Sequence, residues 1–237
     1  MPNPYFHFKQ FTVYHDKCAM KIGTDGVLLG SWVGLENKKS ILDVGTGCGI
    51  IAIMAAQRSH ALIDAVEIDK DACMQAGANI EACPWSDRIY LEHASFQDYA
   101  KRCNKKYDLV VSNPPFFKNQ FRPDNKLRAL ARHDDALPFG SLISNASAIL
   151  TPYGTLAVII PSELIRYCEK CLVTEELFIT RRLNVRPTPD KPIRRILLEA
   201  ERTVRKVDEA CMAIENGPRH DYTDEYKKLT RDFYLAF

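Results

Sequence analysis

Residues 41–50, "ILDVGTGCGI", constrain this chain more than any other stretch. An apolar run carrying Asp43 gives way to glycines at 45, 47 and 49, and a helical pattern begins at once. Alternate glycines permit backbone conformations and close approaches that a Cβ forbids, and the N-terminus of the following helix offers free N–H groups and a favourable dipole. The stretch therefore asks for a strand, a ligand-receptive loop and a helix in that order.

The rest of the chain continues that order. Strand-length apolar runs at Ser40–Val44, Leu62–Ile68, Ile89–Glu92, Tyr107–Ser112 and Thr155–Ile160 alternate with helical stretches at Gly49–Arg58, Lys70–Ala82, Gln97–Lys101 and Phe139–Leu150. That alternation predicts βαβ units around a parallel sheet, and the continuous Val/Ile/Leu character of the strands predicts cover on both faces. Two further strand-like runs, Glu175–Arg186 and Pro192–Arg202, flank the proline-rich residues 187–192. They predict a hairpin that closes a seven-stranded, doubly wound α/β sheet with an antiparallel C-terminal edge. We read one domain over 1–237, with a preamble at 1–39, a core at 40–202 and a polar tail at 203–237 tethered by Phe233, Tyr234 and Phe237. Thr24 or Asp25 is expected to cap a helix at the end of the preamble.

Composition narrows the class of protein. With 237 residues, 46% of them apolar, the chain is long enough for a full core, and no apolar run approaches a membrane span. A net charge of +2 permits contact with nucleic acid without demanding it. The eight cysteines follow no secreted framework, and the N-terminus lacks a signal-peptide plan, so a cytoplasmic protein with reduced thiols is expected. Cys168 and Cys171 form a C-x-x-C pair without two further ligands at zinc spacing, so no metal is expected.

Two ligand classes compete for the glycine loop. A dinucleotide fingerprint needs a third glycine at position 50, which is Ile50 here. The spacing is instead D-x-G-x-G-x-G, and the segment resembles the cofactor loop of class I methyltransferases that use S-adenosylmethionine. Glu67 ends the second strand twenty residues after Gly47, where a carboxylate can accept both hydroxyls of a ribose. Asp69 reads as the N-cap of the next helix. The resemblance further implies that the loop after the third strand lines the adenine. Its residues are Ala94, Ser95 and Phe96, with Ser95 in place of the usual carboxylate and Phe96 as the ring cover. Asp98 reads as a cap for the following helix.

The fourth strand ends in "NPPFF". An aromatic exocyclic amine is a poor nucleophile until acceptors hold its two hydrogens. The Asn113 side-chain oxygen and the Pro114 carbonyl can do so on a backbone that two prolines stiffen. Phe116 can then stack a planar substrate. Asn113, Pro114, Pro115 and Phe116 resemble the N-P-P-[FY] motif of methyltransferases acting on adenine N6, guanine N2 or a glutamine amide.

The preamble separates these substrates. Residues 22–30, "IGTDGVLLG", resemble the segment ahead of the glycine loop in the family that methylates N6 of adenosine 37 in a valine tRNA. The likeness continues through "ARHDDALPF" and "DYTDEYKKLTRDFY". That resemblance implies a tRNA anticodon loop as partner, and it places Thr24 and Lys21 at the methionine carboxylate of S-adenosylmethionine. Asn113 would touch cofactor as well as substrate. Cations at Lys118, Arg122, Lys126, Arg128 and Arg132, and at Arg181, Arg182, Arg186, Lys191, Arg194 and Arg195, are candidate phosphate contacts. His133 is a candidate loop anchor or RNA contact. A monomer is expected. The alternatives are N5-methylation of a protein glutamine, N2-methylation of ribosomal-RNA guanine, and an inactive RNA-binding module.

Overall fold

The structure, a computed structural model, describes residues 3–18, 21–115 and 138–237. A short antiparallel hairpin, β1 (Tyr5–His7) with β2 (Thr12–Tyr14), precedes helix α1 (Thr24–Trp32). The alternating core follows as β3 (Ser40–Val44), α2 (Ile50–Arg58), β4 (Leu62–Glu67), α3 (Lys70–Glu81), β5 (Ile89–His93), α4 (Phe96–Arg102) and β6 (Tyr107–Ser112). Then come α5 (Phe139–Ile149), β7 (Leu150–Pro161), α6 (Ile165–Thr174), β8 (Phe178–Arg186), β9 (Arg195–Glu201), β10 (Asp208–Ala213) and α7 (Asp224–Thr230).

The main sheet runs β10-β8-β9-β7-β6-β3-β4-β5, and within it only β9 is antiparallel to its neighbours. Strand alternation divides the core into two layers. Ile41, Ile63, Ala65, Leu109 and Val111 pack with residues of α1, α2, α3 and α7. Leu42, Val44, Val66 and Val110 pack with residues of α4, α5 and α6 on the other face. Each such Ile or Leu contributes about 1.5–3 kcal/mol by leaving water, which explains why the strands read as continuous apolar runs.

Among the described residues the main sheet has eight strands. The expected hairpin forms, but β9 inserts between β7 and β8, so the edge belongs to β10, which pairs parallel with β8. β10 comes from the polar tail, and its first four residues are exposed, so it lacks the apolar alternation that announces a strand. The tail is docked as expected of its aromatics: Phe233 is buried, its carbonyl accepts from Lys9 N–H at 2.8 Å, and Tyr234 stacks on Phe8.

Neither Thr24 nor Asp25 caps α1. The N-cap is Gly23 without a side-chain bond, and Asp25 instead pairs with Arg195 at 2.8 Å. The glycines of this helix have a packing role. A Cβ on Gly26 would stand 3.3 Å from Ile50, and one on Gly30 would stand 2.7 Å from Met54. Close approach of α1 to α2 therefore sets the N-terminal turn of α1 beside the end of the glycine loop.

Candidate cofactor and catalytic site

The chain winds outward from β3 through β4 to β5, then crosses back to lay β6 on the other side of β3. Ligands on open α/β sheets bind beyond the carboxyl ends of strands at such a reversal. Here Val44 and Ser112 are register partners, so the glycine loop and Asn113 leave the sheet side by side.

The glycine loop is wound left-handed at each of its glycines, with φ of 67° at Gly45, 58° at Gly47 and 87° at Gly49. A side chain in that region costs about 1–2 kcal/mol per residue. A Cβ on Gly45 or Gly47 would meet no atom of another described residue within 4 Å, so the described residues leave this side of the loop open. Gly45 and Thr46 N–H both donate to the Val66 carbonyl, at 2.9 and 3.1 Å, which ties the loop to the end of β4.

Two carboxylates fix the loop from beneath. Glu67, 7% exposed, accepts Gly47 N–H at 2.8 Å on one oxygen and Asp69 N–H at 2.9 Å on the other. Each oxygen keeps a further lone pair, so the group is held rigid yet can still accept hydroxyls. Asp43 is fully buried, and one oxygen accepts the Thr46 hydroxyl at 2.5 Å and Ala52 N–H at 3.1 Å. Its other oxygen is buried without a partner among the described residues. Burial pushes the Asp43 carboxyl up to about 7 against the bonds from Thr46 and Ala52, and nearby Glu67 adds to the rise.

Asn113 is half-buried, Pro114 buried and Pro115 exposed. Ser112, just ahead of them, donates its hydroxyl to the Val44 carbonyl at 2.9 Å. Phe116, His133 and the cations Lys118, Arg122, Lys126, Arg128 and Arg132 lie outside the described residues.

At the next strand end, Ala94 N–H donates to the Glu67 carbonyl at 3.0 Å. Ser95 is the N-cap of α4. Its hydroxyl accepts Asp98 N–H at 3.1 Å and donates to the Asp98 carboxylate at 2.7 Å, a reciprocal pair resembling a capping box. The cap expected of Asp98 therefore belongs to Ser95, whose hydroxyl proton is already committed. The Phe96 ring is 4% exposed and packs in the core layer with Val44, Val66 and Val110. Asp69 caps α3 as expected, accepting Ala72 N–H at 2.8 Å. Lys21 and Thr24 are exposed at the start of α1.

Among the described residues, the cations expected on a phosphate rim each have a partner within the protein. Arg181 stacks over Trp32 with 4.2 Å to the ring centroid and pairs with Glu199. Arg182 meets Glu209, Lys191 meets Asp190, Arg194 meets Glu163 and Arg195 meets Asp25. Arg186 donates to the Pro189 carbonyl at 3.3 Å. The spacing of arginines on β8 and β9 reports intramolecular clamps as readily as a nucleic-acid surface, and only packing separates the two. Cys168 is buried on α6 and Cys171 half-buried, and no group of three or more metal-ligating side chains forms among the described residues.

Sequence reasoning missed Ser112 and Asn79. Asn79 is a buried amide on α3 that binds the Cys48 carbonyl of the glycine loop. Neither carries a motif, since both act on backbone groups brought near by folding.

A glycine loop, an acidic strand end and an N-P-P turn gathered at one switch point define a class I methyltransferase, and comparison with known proteins agrees. The methyltransferase small domain family model matches residues 18–178. A predicted O-methyltransferase from Agrobacterium tumefaciens shares the fold with a TM-score of 0.68 at 20% identity, over 88% of this chain and 96% of that one. A ribosomal protein L11 methylase from Lactobacillus delbrueckii gives 0.57 at 17% identity, over 84% and 100%. Among sequence relatives, a tRNA1(Val) (adenine(37)-N6)-methyltransferase of Parabacteroides distasonis is 46% identical over 99% of both chains. The protein of the same name from Trichodesmium erythraeum is 46% identical over 98% of both. The chain belongs to the methyltransferase small domain family and, within it, to the family of these adenine-N6 enzymes.

Proposed function

We propose that this protein methylates N6 of adenosine 37 in the anticodon loop of a valine tRNA, using S-adenosylmethionine. The observation that carries the reading is the Val44–Ser112 register, which sets Asn113 beside the glycine loop in a chain whose near-full-length relatives bear that name.

The residues present fit the cofactor. Gly45 and Gly47 leave open space over a left-handed loop, and Glu67 is oriented by two backbone donors with lone pairs to spare. Glu67 would hold the ribose, the backbone of residues 45–49 the adenosine and methionine backbone, and Thr24 with Lys21 the methionine carboxylate. Asp43 would act by shaping the loop. Ser95 and Phe96 would line the adenine side, Ser95 through its remaining lone pair. When bound, S-adenosylmethionine supplies an electrophilic methyl group whose leaving sulfur needs no proton.

The chain's own work is to aim the amine. Asn113 Oδ1 and the Pro114 carbonyl accept the two amino hydrogens, which favours a pyramidal nitrogen with an available lone pair. Pro115 stiffens the turn, and Phe116 stacks the adenine ring. An anticodon-loop base is single-stranded, so it enters such a pocket at lower cost than a paired one. One chain supplies all these groups, which supports a monomer, and a tRNA substrate supports a cytoplasmic site of action.

Nucleoside mass spectrometry of tRNA1(Val) from cells with and without the gene tests the reading. Loss of N6-methyladenosine at position 37 supports it. An unchanged level, with methyl groups appearing instead on a protein glutamine or a ribosomal guanine, rejects it.

A further inference from the structure

Asn79 lies in the third turn of α3 and is 1% exposed, and its amide reaches out of the helix with every bond. Nδ2 donates to the Tyr14 carbonyl at 2.8 Å and to the Cys48 carbonyl at 2.9 Å, while Oδ1 accepts Tyr14 N–H at 2.9 Å. Tyr14 ends β2 in the preamble, and Cys48 lies between Gly47 and Gly49. One side chain therefore grips the preamble as a neighbouring strand would and holds the cofactor loop as well.

Only a carboxamide satisfies this junction. It presents two donors and an acceptor in one plane, whereas a carboxylate lacks the donors and a hydroxyl has a single proton. Around it the preamble is laid along α3. Lys17 N–H donates to Gln75 Oε1 at 3.2 Å, one turn before Asn79, and Cys18 packs against the core cluster that contains Cys48. Interaction with the Cys48 thiol holds the Cys18 thiol below its usual range. Three residues later the chain reaches Lys21, and then α1.

The Cys48 carbonyl matters because of its neighbours. Peptides flanked by glycines can rotate between conformations of either hand, and this loop has glycines on both sides of Cys48. Anchoring that carbonyl fixes the plane of the Cys48–Gly49 peptide. It thereby fixes the direction of Gly49 N–H, which donates to the Thr46 carbonyl at 2.9 Å as α2 begins. Glu67 holds the loop at Gly47 from one side, and Asn79 holds it at Cys48 from the other.

We propose that Asn79 is a positioning residue that keeps the glycine loop in its cofactor-binding conformation by bracing the Cys48 carbonyl against Tyr14. The inference rests on the methyl-transfer reading and deepens it: Tyr14 of the preamble braces the cofactor loop through Asn79. Gln75 provides the internal control, since it holds the same preamble and, among the described residues, makes no hydrogen bond to the glycine loop.

The test compares Asn79→Leu, Gln75→Leu and the unsubstituted protein by isothermal titration with S-adenosylhomocysteine, thermal unfolding, and turnover at varied S-adenosylmethionine. Leaving two carbonyls and an N–H buried without a partner should weaken S-adenosylhomocysteine binding, and raise KM for S-adenosylmethionine, by about tenfold or more in Asn79→Leu. On the same reasoning kcat at saturating cofactor should stay within about threefold, and Gln75→Leu should change Kd by less than about twofold. Should Asn79→Leu lack a cooperative unfolding transition, Asn79→Ser reads the same ratio, because a single hydroxyl proton cannot hold both carbonyls and the change adds no charge. A folded variant with unchanged Kd overturns the proposal, as does an equal loss in Gln75→Leu. Cofactor binding needs no RNA, so a wrong substrate assignment would appear separately, as absent turnover on tRNA1(Val) by the unsubstituted protein.

Discussion

The Ser112 hydroxyl donates to the Val44 carbonyl at 2.9 Å across the β3–β6 seam, one residue before Asn113 on one strand and one residue before Gly45 on the other. Strand pairing alone would set these motifs in register. The added bond, from a Ser112 side chain 1% exposed to water, stiffens the seam beside the proposed site of methyl transfer, where donor and amine would have to meet in line.

From that relationship follows the first expected outcome. Asn113→Ala removes an acceptor for the amine and leaves the seam intact, so kcat should fall by about 10²-fold or more while affinity for S-adenosylhomocysteine changes little. Single-turnover transfer and titration on one preparation measure both. Equal loss in the two would assign Asn113 a role in building the loop.

Gly47→Ala separates strain from occlusion. The left-handed φ of 58° imposes about 1–2 kcal/mol of strain on the new residue, and its Cβ touches no atom of the other described residues. Unfolding in urea should therefore show a modest loss of stability. If a ligand passes over this face, affinity for S-adenosylhomocysteine should drop further than strain explains. A loss of affinity no larger than the loss of stability would place the cofactor elsewhere.

How much of this was legible in the sequence depends on where each group finds its partner. Asp43, the three glycines, Glu67 and Asn113 announce themselves because a strand, its end and the next helix are contiguous in the chain. Asn79 and Ser112 bind backbone groups 31 and 68 residues away, and no local pattern marks them. β10 stayed hidden because an exposed edge strand has no apolar face to display. The arginines of β8 and β9 suggest a phosphate surface from sequence alone, which does not reveal that Trp32, Glu199 and Asp25 lie beside Arg181 and Arg195.

Glu67→Gln tests the acidic strand end. The amide keeps one acceptor oxygen, so either Gly47 N–H or Asp69 N–H must face an NH2 group, and a charge-assisted bond to a ribose is lost. Such bonds are worth about 1.5–3 kcal/mol, which predicts roughly 10- to 100-fold weaker cofactor binding. Titration with S-adenosylhomocysteine and with a 2′,3′-dideoxyribose analogue distinguishes the two contributions. If both ligands lose affinity equally, the effect lies in the loop and the ribose contact is refuted.

Asp43 gives the protein a pH dependence of definite sign. Its carboxyl rises from 3.8 to about 7 on folding, chiefly through burial, so the folded state binds the proton more tightly than the unfolded state. Stability linked to this group is therefore fully present below pH 4, declines between pH 4 and 7, and stays level above. Three pKa units correspond to about 4 kcal/mol. Asp43→Asn keeps an oxygen for Thr46 and Ala52 and mimics the protonated acid. The variant should match the unsubstituted protein near pH 4 and exceed it in stability by up to that amount at pH 8. Urea denaturation at pH 4.5, 6 and 8 measures the gap. A gap that does not widen with pH would mean the folded protein compensates the buried charge.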